Sequence, residues 1–214
     1  AFAAGGNASN IVVRANDIKL NNSTIASFSA ARGSEIGTGS AGNISIEAKT
    51  LDLQNSSNLL LNSLLGQGNA GNLTLKVTES INVTTSTVST SSLSTGLGGN
   101  IDVNTKNLNI NNGSQLITSN FDISNFDPEL LPDPIQVEFF RELIGTVEQE
   151  NIGNIGQENS GNVTINASES VTLSGISANG QTKSGIFTET LSNGASGNVT
   201  IKTGQLNILD GAGV

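Results

Sequence analysis

One five-residue pattern recurs along this chain: glycine, asparagine, an aliphatic residue, a small polar residue and a second aliphatic residue. The complete copies and one degenerate copy begin at Ser9, Gly42, Gly71, Gly99, Gly161 and Gly197. Their asparagines therefore follow one another at intervals of 33, 29, 28, 62 and 36 residues. A period near 30 residues is typical of solenoids and other repeat arrays. The interval of 62 residues corresponds to one ordinary unit plus an insertion.

Each unit contains two further stretches of strand pattern. A second pair of aliphatic residues follows each asparagine by eight or nine positions: Ile18/Leu20, Leu51/Leu53, Ile81/Val83, Leu108/Ile110, Val171/Leu173 and Leu206/Ile208. A weaker third strand is predicted about 15 residues after the asparagine, at Ile25, Leu59/Leu61, Val88, Leu116 and Ile176. Apolar and polar residues that alternate have the period of a half-buried strand.

The repeat predicts an all-β fold, a parallel β-helix of about six coils with three strands per coil, spanning residues 1–214 as one unit. Hairpins are disfavoured because the tight two-residue turns that they require are scarce. Strands of successive coils would pair about 4.8 Å apart, so six coils would form a rod of roughly 30 Å. We expect the Gly-Asn corners to use the tolerance of both residues for positive φ. The corner asparagines are expected to stack as a hydrogen-bonded ladder: Asn43, Asn72, Asn100, Asn162 and Asn198.

Residues 119–158 interrupt the repeat and form a predicted insertion. They contain the three prolines, nine of the 18 acidic residues and four of the seven phenylalanines, Phe121, Phe126, Phe139 and Phe140. A short helix is expected from Pro134 to Glu150, with Asp133 as its N-cap. Its apolar face would cover one side of the rod, or the four phenylalanines would form a contact loop for a partner. The acidic residues are expected to be solvated rather than to bind calcium, because their spacing does not match an EF-hand loop.

The amino-acid composition excludes or disfavours several classes of function. The chain has no Cys and no His, which removes thiolate and imidazole metal sites and the nucleophiles that depend on them. A formal charge of −9 disfavours nucleic acid as a partner, and no run of 18 apolar residues is present to span a membrane. We therefore expect no cofactor, no bound metal and no membrane span.

An enzymatic role is not expected. Glycoside hydrolysis normally requires two carboxylates that face one cleft. Asp52 and Asp102 occupy polar positions of different predicted strands, and no other acidic cluster converges outside the insertion. The Thr-rich run at 84–90 is not repeated in its neighbours, so an ice-binding face is disfavoured as well. The alternative left open is a polysaccharide-binding module, or a polysaccharide-degrading enzyme, on the same β-helix.

The units at residues 160–210 resemble a known group of proteins. The stretch that begins Gly161-Asn162-Val163-Thr164-Ile165 and ends Gly204-Gln205-Leu206-Asn207-Ile208 is similar to the repeat region of filamentous-haemagglutinin-like exoproteins, of the cyanobacterial surface-layer type. The resemblance covers nearly all of the chain outside 119–158. It implies a right-handed β-helix exported by two-partner secretion through an outer-membrane pore. It also implies a secreted, cell-surface protein for adhesion, cell–cell contact or biofilm, whose glycan or protein receptor is unknown. We expect the sequence to be part of a longer chain.

Overall fold

The computed structural model describes residues 1–4, 6–30, 38–64, 67–93, 96–121, 159–191 and 194–214. Within these ranges the chain forms strands and no helix, which confirms the all-β prediction for this part of the chain. The strands are β1 (Phe2–Ala4), β2 (Ile11–Arg14), β3 (Asp17–Asn21), β4 (Thr24–Ala30), β5 (Ile44–Gln54), β6 (Asn58–Leu64), β7 (Leu73–Thr84), β8 (Thr87–Leu93), β9 (Ile101–Asn111), β10 (Gln115–Phe121), β11 (Val163–Ser174), β12 (Gly185–Leu191) and β13 (Val199–Leu209).

The strands form two sheets in which every pairing is parallel. The short-strand sheet has the order β1-β4-β6-β8-β10-β12. The long-strand sheet has the order β13-β11-β9-β7-β5-β2, and β3 pairs with β5 beside β2. The chain alternates between the sheets, so each coil consists of one long strand and the short strand after it. Coil one contains β2, β3 and β4, and coil six contains β13. The predicted parallel β-helix is confirmed.

The register of the long-strand sheet follows the asparagine repeat. Ile44 pairs with Ile11 in the coil before it and with Leu73 in the coil after it. The same alignment continues through the first aliphatic residue of every later unit. The second pairs are also in register, since Leu51 lies between Ile18 and Ile81. The 62-residue interval leaves this register undisturbed, because Ile101 pairs directly with Val163.

The first and second predicted strands are joined in all coils after the first. Each of β5, β7, β9, β11 and β13 contains both aliphatic pairs, whereas β2 and β3 are separate. The strands β7 and β11 have 12 residues and their neighbours have 11. The register therefore shifts between the two halves of the strands, for example between Ala167 and Ser170. Such bulges bend a strand, so the predicted corner exists as a bend within one sheet. We call this line of residues, which runs from coil to coil, the bulge line.

The third strand of coil five was predicted in the wrong place. Ile186, not Ile176, pairs with Leu116 at the position of the third strand. Ile176 is 44% exposed and forms an antiparallel bridge with Lys183. Residues 175–184 leave the coil at this corner and return to it. The apolar Ile176 imitates the expected pattern, but the chain after it forms a turn at Ala178 and Asn179 and not a buried strand.

The core is a stack of aliphatic rows. Side chains from successive coils lie above one another and are almost fully buried in the central coils, including Ile44, Leu51, Leu73, Leu108, Ile110 and Leu173. Burying each of them stabilises the fold by about 1.5–3 kcal/mol. Beside the Gly-Asn corner, the side chains inside the coils are polar. There the hydroxyl of Thr188 donates to the carbonyl of Gly197 at 2.7 Å, and Thr90 and Thr118 make the equivalent bonds in earlier coils.

Most of the predicted insertion lies outside the described residues. This applies to Phe126, Phe139, Phe140, the helix from Pro134 to Glu150 and the acidic loop. Phe121 is the last residue of β10, where its backbone pairs with that of Leu191. No helix in the described ranges is long and apolar enough to cross a membrane.

Candidate functional site: coil corners and the bulge line

The corner asparagines form the predicted ladder. The backbone N–H of Asn43 donates to Oδ1 of Asn10 at 2.8 Å, and the bond repeats at Asn72, Asn100, Asn162 and Asn198 at 2.8–2.9 Å. In the last three, the side-chain amide also donates to the Oδ1 below it at 3.2–3.4 Å. Each asparagine from Asn10 to Asn162 therefore satisfies a backbone donor of the next coil. The role of these residues is structural, and they join the coils along the rod.

The reason for glycine at this corner differs from the prediction. No glycine or asparagine of the Gly-Asn pairs has a positive φ. Instead, a Cβ atom placed on Gly71 would overlap the carbonyl oxygen of Gly42 in the coil below. The same holds for Gly99 above Gly71 and for Gly161 above Gly99. Glycine is required because the backbones of successive coils approach one another too closely for any side chain.

A second ladder at this corner was missed in the sequence. The backbone N–H of Ser40 donates to Oδ1 of Asn7 at 2.8 Å, three residues before the predicted rung. Asn69 supplies its Oδ1 to Leu97 in the same way, and Asn159 supplies its Oδ1 to Ala195. The longer pattern Gly-Asn-Ala-Gly-Asn, complete at 68–72, contains this signal. The pattern is difficult to recognise in the sequence because Ser40 and Leu97 occupy the position of Asn69 in the neighbouring coils.

The corner between the long and short strands contains nine of the ten described residues with positive φ, and the tenth is Gly180. The nine are Asn22, Asn55, Ser56, Thr85, Asn112, Gly113, Gly175, Asp210 and Gly211. A ladder of buried serines joins the coils beside them. The N–H of Ser57 donates to Oγ of Ser86 at 3.1 Å, and Ser86 donates to Ser114 at 3.0 Å. These bonds run from an earlier coil to a later one, opposite to the asparagine ladder, so the two corners connect the coils in both directions.

Residues 175–184 form the described loop that leaves this corner. The loop is closed by its own hydrogen bonds. Ser177 Oγ donates to Asn179 Oδ1 at 2.5 Å, and the backbone N–H of Thr182 donates to Ser177 Oγ at 2.9 Å. Ser184 returns to the coil as the buried member of the serine ladder and accepts from the N–H of Gly113 at 2.8 Å. The loop therefore projects from the side of the rod in a conformation that these hydrogen bonds hold.

A shallow groove follows the bulge line on the outer surface of the long-strand sheet. It consists of three hollows, of about 670 Å³ over coils one to three, 320 Å³ over coils three to five and 460 Å³ over coils four to six. Neighbouring hollows share Thr78, Asn104, Thr105 and Ser168. We call this feature the bulge groove. Its lining contains the basic residues Arg14, Lys49, Lys76, Lys106 and Lys202.

Two of these cations are paired with carboxylates. Arg14 Nε donates to Glu47 Oε2 at 2.7 Å, and Lys49 Nζ lies 3.5 Å from Glu79 Oε1. The hydrogen bond from Arg14, then the charge of Arg14 and, to a smaller extent, that of Lys76 lower the pKa of Glu47. The same hydrogen bond and the charge of Glu47 raise the pKa of Arg14. Both pairs join neighbouring coils at the exposed surface, where ion pairs stabilise proteins only slightly. Lys76, Lys106 and Lys202 form no ion pair within the described part of the chain.

The acidic residues considered for catalysis do not converge. Asp52 and Asp102 occupy polar positions in different halves of the long-strand sheet and in different coils. Asp52 Oδ1 accepts a hydrogen bond at 2.6 Å from the side chain of Asn82 in the next coil. In the described ranges, no three acidic residues lie close enough together to hold a metal ion.

The comparisons with known proteins give no relative. No protein-family model matches the chain, and neither a curated protein nor a solved structure matches it. The class of protein is therefore defined by the fold alone, as a parallel β-solenoid. The similarity to filamentous-haemagglutinin-like exoproteins stays a prediction from the repeat.

Proposed function

We propose that this chain is a rigid segment of a secreted cell-surface protein, acting as a β-helical stalk in adhesion, cell–cell contact or biofilm. The observation that carries the proposal is the unbroken stacking of six coils. The long-strand sheet and the asparagine ladder join all six, and the short-strand sheet and the serine ladder join the first five. We expect such a molecule to resist bending because bending would lengthen hydrogen bonds between coils, and the same contacts repeat along the axis.

Adhesion would require surfaces that project from the stalk or lie along it. The described loop at 175–184 is one such projection, and the insertion with its four phenylalanines is the predicted one. Rigid scaffolds commonly carry binding residues on loops of this kind. The secretion pore and a glycan or protein receptor are the partners that the repeat resemblance supplies for this proposal.

The test is adhesion of cells that display this chain to a panel of cell surfaces and polysaccharides, beside two shortened variants. Deletion of 124–157 leaves five steps from Asn120 to Asn159, the same number that joins Ser92 to Leu97 in the coil before. The second variant replaces residues 175–184 with Asn-Gly-Ser, the sequence of the corresponding corner of coil four at 112–114. Circular dichroism would establish that both variants keep their β structure.

We expect the displayed chain to adhere, and the variant that loses adhesion to identify the responsible loop. Adhesion by both variants at the level of the intact chain would place the binding surface on the coils themselves. Failure of the intact chain to bind any surface in the panel would contradict an adhesive role for this segment. Small-angle scattering that reported a compact particle rather than a rod would contradict the stalk.

A further inference from the structure

We propose that the bulge groove binds a linear acidic polysaccharide that lies along the rod, with its anionic groups at Lys76, Lys106 and Lys202. The inference names a ligand class for the adhesive function proposed above and rests on that function for its biological role. The binding itself is a property of the folded chain and is tested in solution.

The first support is the distribution of charge. The chain carries a formal charge of −9 with only nine basic residues, of which seven are described. Five of those seven line one groove. The lining contains one acidic residue, Glu47, so positive charge is in excess, and such an excess raises the local concentration of anionic ligands. The two other described cations, Lys19 and Lys183, lie outside the groove.

The second support is the difference between the two ends of the groove. In the first coils, Arg14 and Lys49 are paired with Glu47 and Glu79. In the later coils, Glu169 Oε2 accepts from Asn107 Nδ2 at 2.8 Å. Lys106 and Lys202 form no ion pair with described residues, and Lys76 lies opposite Glu47, whose carboxylate is already bonded to Arg14. These exposed ammonium groups remain available to pair with anionic groups of a ligand.

The third support is geometry. The three lysines belong to coils three, four and six, so they extend over three coil intervals, about 14 Å along the axis. Side-chain amides and hydroxyls lie between them, from Asn104, Asn166 and Ser168. A polymer along the axis would meet Lys76 and Lys106 in coils three and four, neutral hydrogen-bonding groups in coil five and Lys202 in coil six, which suits a sugar chain with both anionic groups and hydroxyls.

A peptide fits the groove less well. Extended peptides commonly bind by adding a strand to a free sheet edge. Here the strands cross the groove, and the backbones of β7, β9 and β11 pair with a coil on each side. The lining contains no aromatic residue, so a neutral sugar would lack both charge and ring stacking. Recognition would therefore depend on charge and be weakened by salt.

The experiment measures binding of the full chain to polygalacturonate, dextran sulfate, uncharged dextran and poly-glutamate by isothermal calorimetry at low ionic strength. The first two probes distinguish carboxylate from sulfate as the anionic group. The variant Lys106→Gln/Lys202→Gln removes two groove cations. Its matched control, Lys19→Gln/Lys183→Gln, removes the same charge elsewhere on the surface. Far-UV circular dichroism checks that both variants fold.

We expect one or both acidic polysaccharides to bind and uncharged dextran not to bind. The groove variant should lose at least about tenfold in affinity, since two charge-assisted contacts disappear, and the control should change little. Equal losses in both variants would overturn the site, as would binding of neither acidic polysaccharide. If poly-glutamate bound as tightly as polygalacturonate, the ligand class would be an acidic peptide and not an acidic polysaccharide. Adhesion of displayed cells that is insensitive to the groove variant would contradict the groove as the adhesive surface and leave the stalk intact.

Discussion

The central coils and the last coil contain the same pattern in different surroundings. Leu108 in coil four is fully buried, whereas Leu206, which occupies the same position in coil six, is 46% exposed. The pair Ile110 and Ile208 differs in the same way, at 0% and 44%. Sequence periodicity places both leucines inside the coil, but their burial comes from the coils above and below. Stability in this fold is therefore a property of neighbouring coils more than of any single one.

The largest difference is expected when the equivalent leucines are truncated. Leu108→Ala would remove a packed side chain and leave a cavity between three coils, at a cost of about 2–5 kcal/mol. Leu206→Ala would cost less than about 1 kcal/mol, because the side chain is already half in water. Urea denaturation followed by circular dichroism measures both. Equal losses would show that coil six is covered in solution, for example by a second copy of the chain.

Glycine substitutions in different coils give a second comparison, for which we expect a loss of stability of intermediate size. Gly68→Ala would force a Cβ against the carbonyl of Gly39 in the coil below and destabilise the protein by about 1–3 kcal/mol. Gly6 occupies the same position at the first coil, where a Cβ would meet nothing within 4 Å. Gly6→Ala should therefore be close to neutral. Thermal unfolding of both variants measures these changes in stability. A loss of stability in Gly6→Ala comparable to that in Gly68→Ala would contradict close stacking as the reason for glycine.

The smallest effect is expected at the ion pair that joins coil one to coil two. The folded protein lowers the pKa of Glu47, so the stabilisation by Arg14 is complete above the usual pKa of Glu, about 4.3. It declines as the pH falls below that value and is lost below the lowered pKa. Because the pair is exposed, only the first coil should loosen. NMR signals of Val12 and Val13 should shift on acidification in the wild type and not in Glu47→Gln. A pH response that persisted in Glu47→Gln would assign it to another group.

Much of the coil architecture was predictable because its cause is local and repeated. The Gly-Asn pattern located every long strand, and the spacing of Ile44, Leu73 and Ile101 correctly predicted which residues pair. The Ile176 prediction failed because alternation alone does not distinguish a strand that returns to the sheet from a loop that carries one aliphatic residue. The longer Gly-Asn-Ala-Gly-Asn ladder was missed because Leu97 and Ala195 occupy positions at which only the backbone donor is needed.

The candidate site was less predictable for a physical reason. The lysines of the bulge groove are separated by 30 residues between Lys76 and Lys106 and by 96 between Lys106 and Lys202, and nothing in those distances indicates a shared surface. They come together because coils stack in register and because the register shift recurs at the same place in the long strands of coils two to six. The sequence by itself determined the period, the register and the aliphatic filling, since these depend on side-chain alternation and on coil length. The tertiary structure decided that the predicted first corner is a bend, that the corner glycines serve close backbone stacking, and that distant cations line one groove, because each depends on contacts between coils.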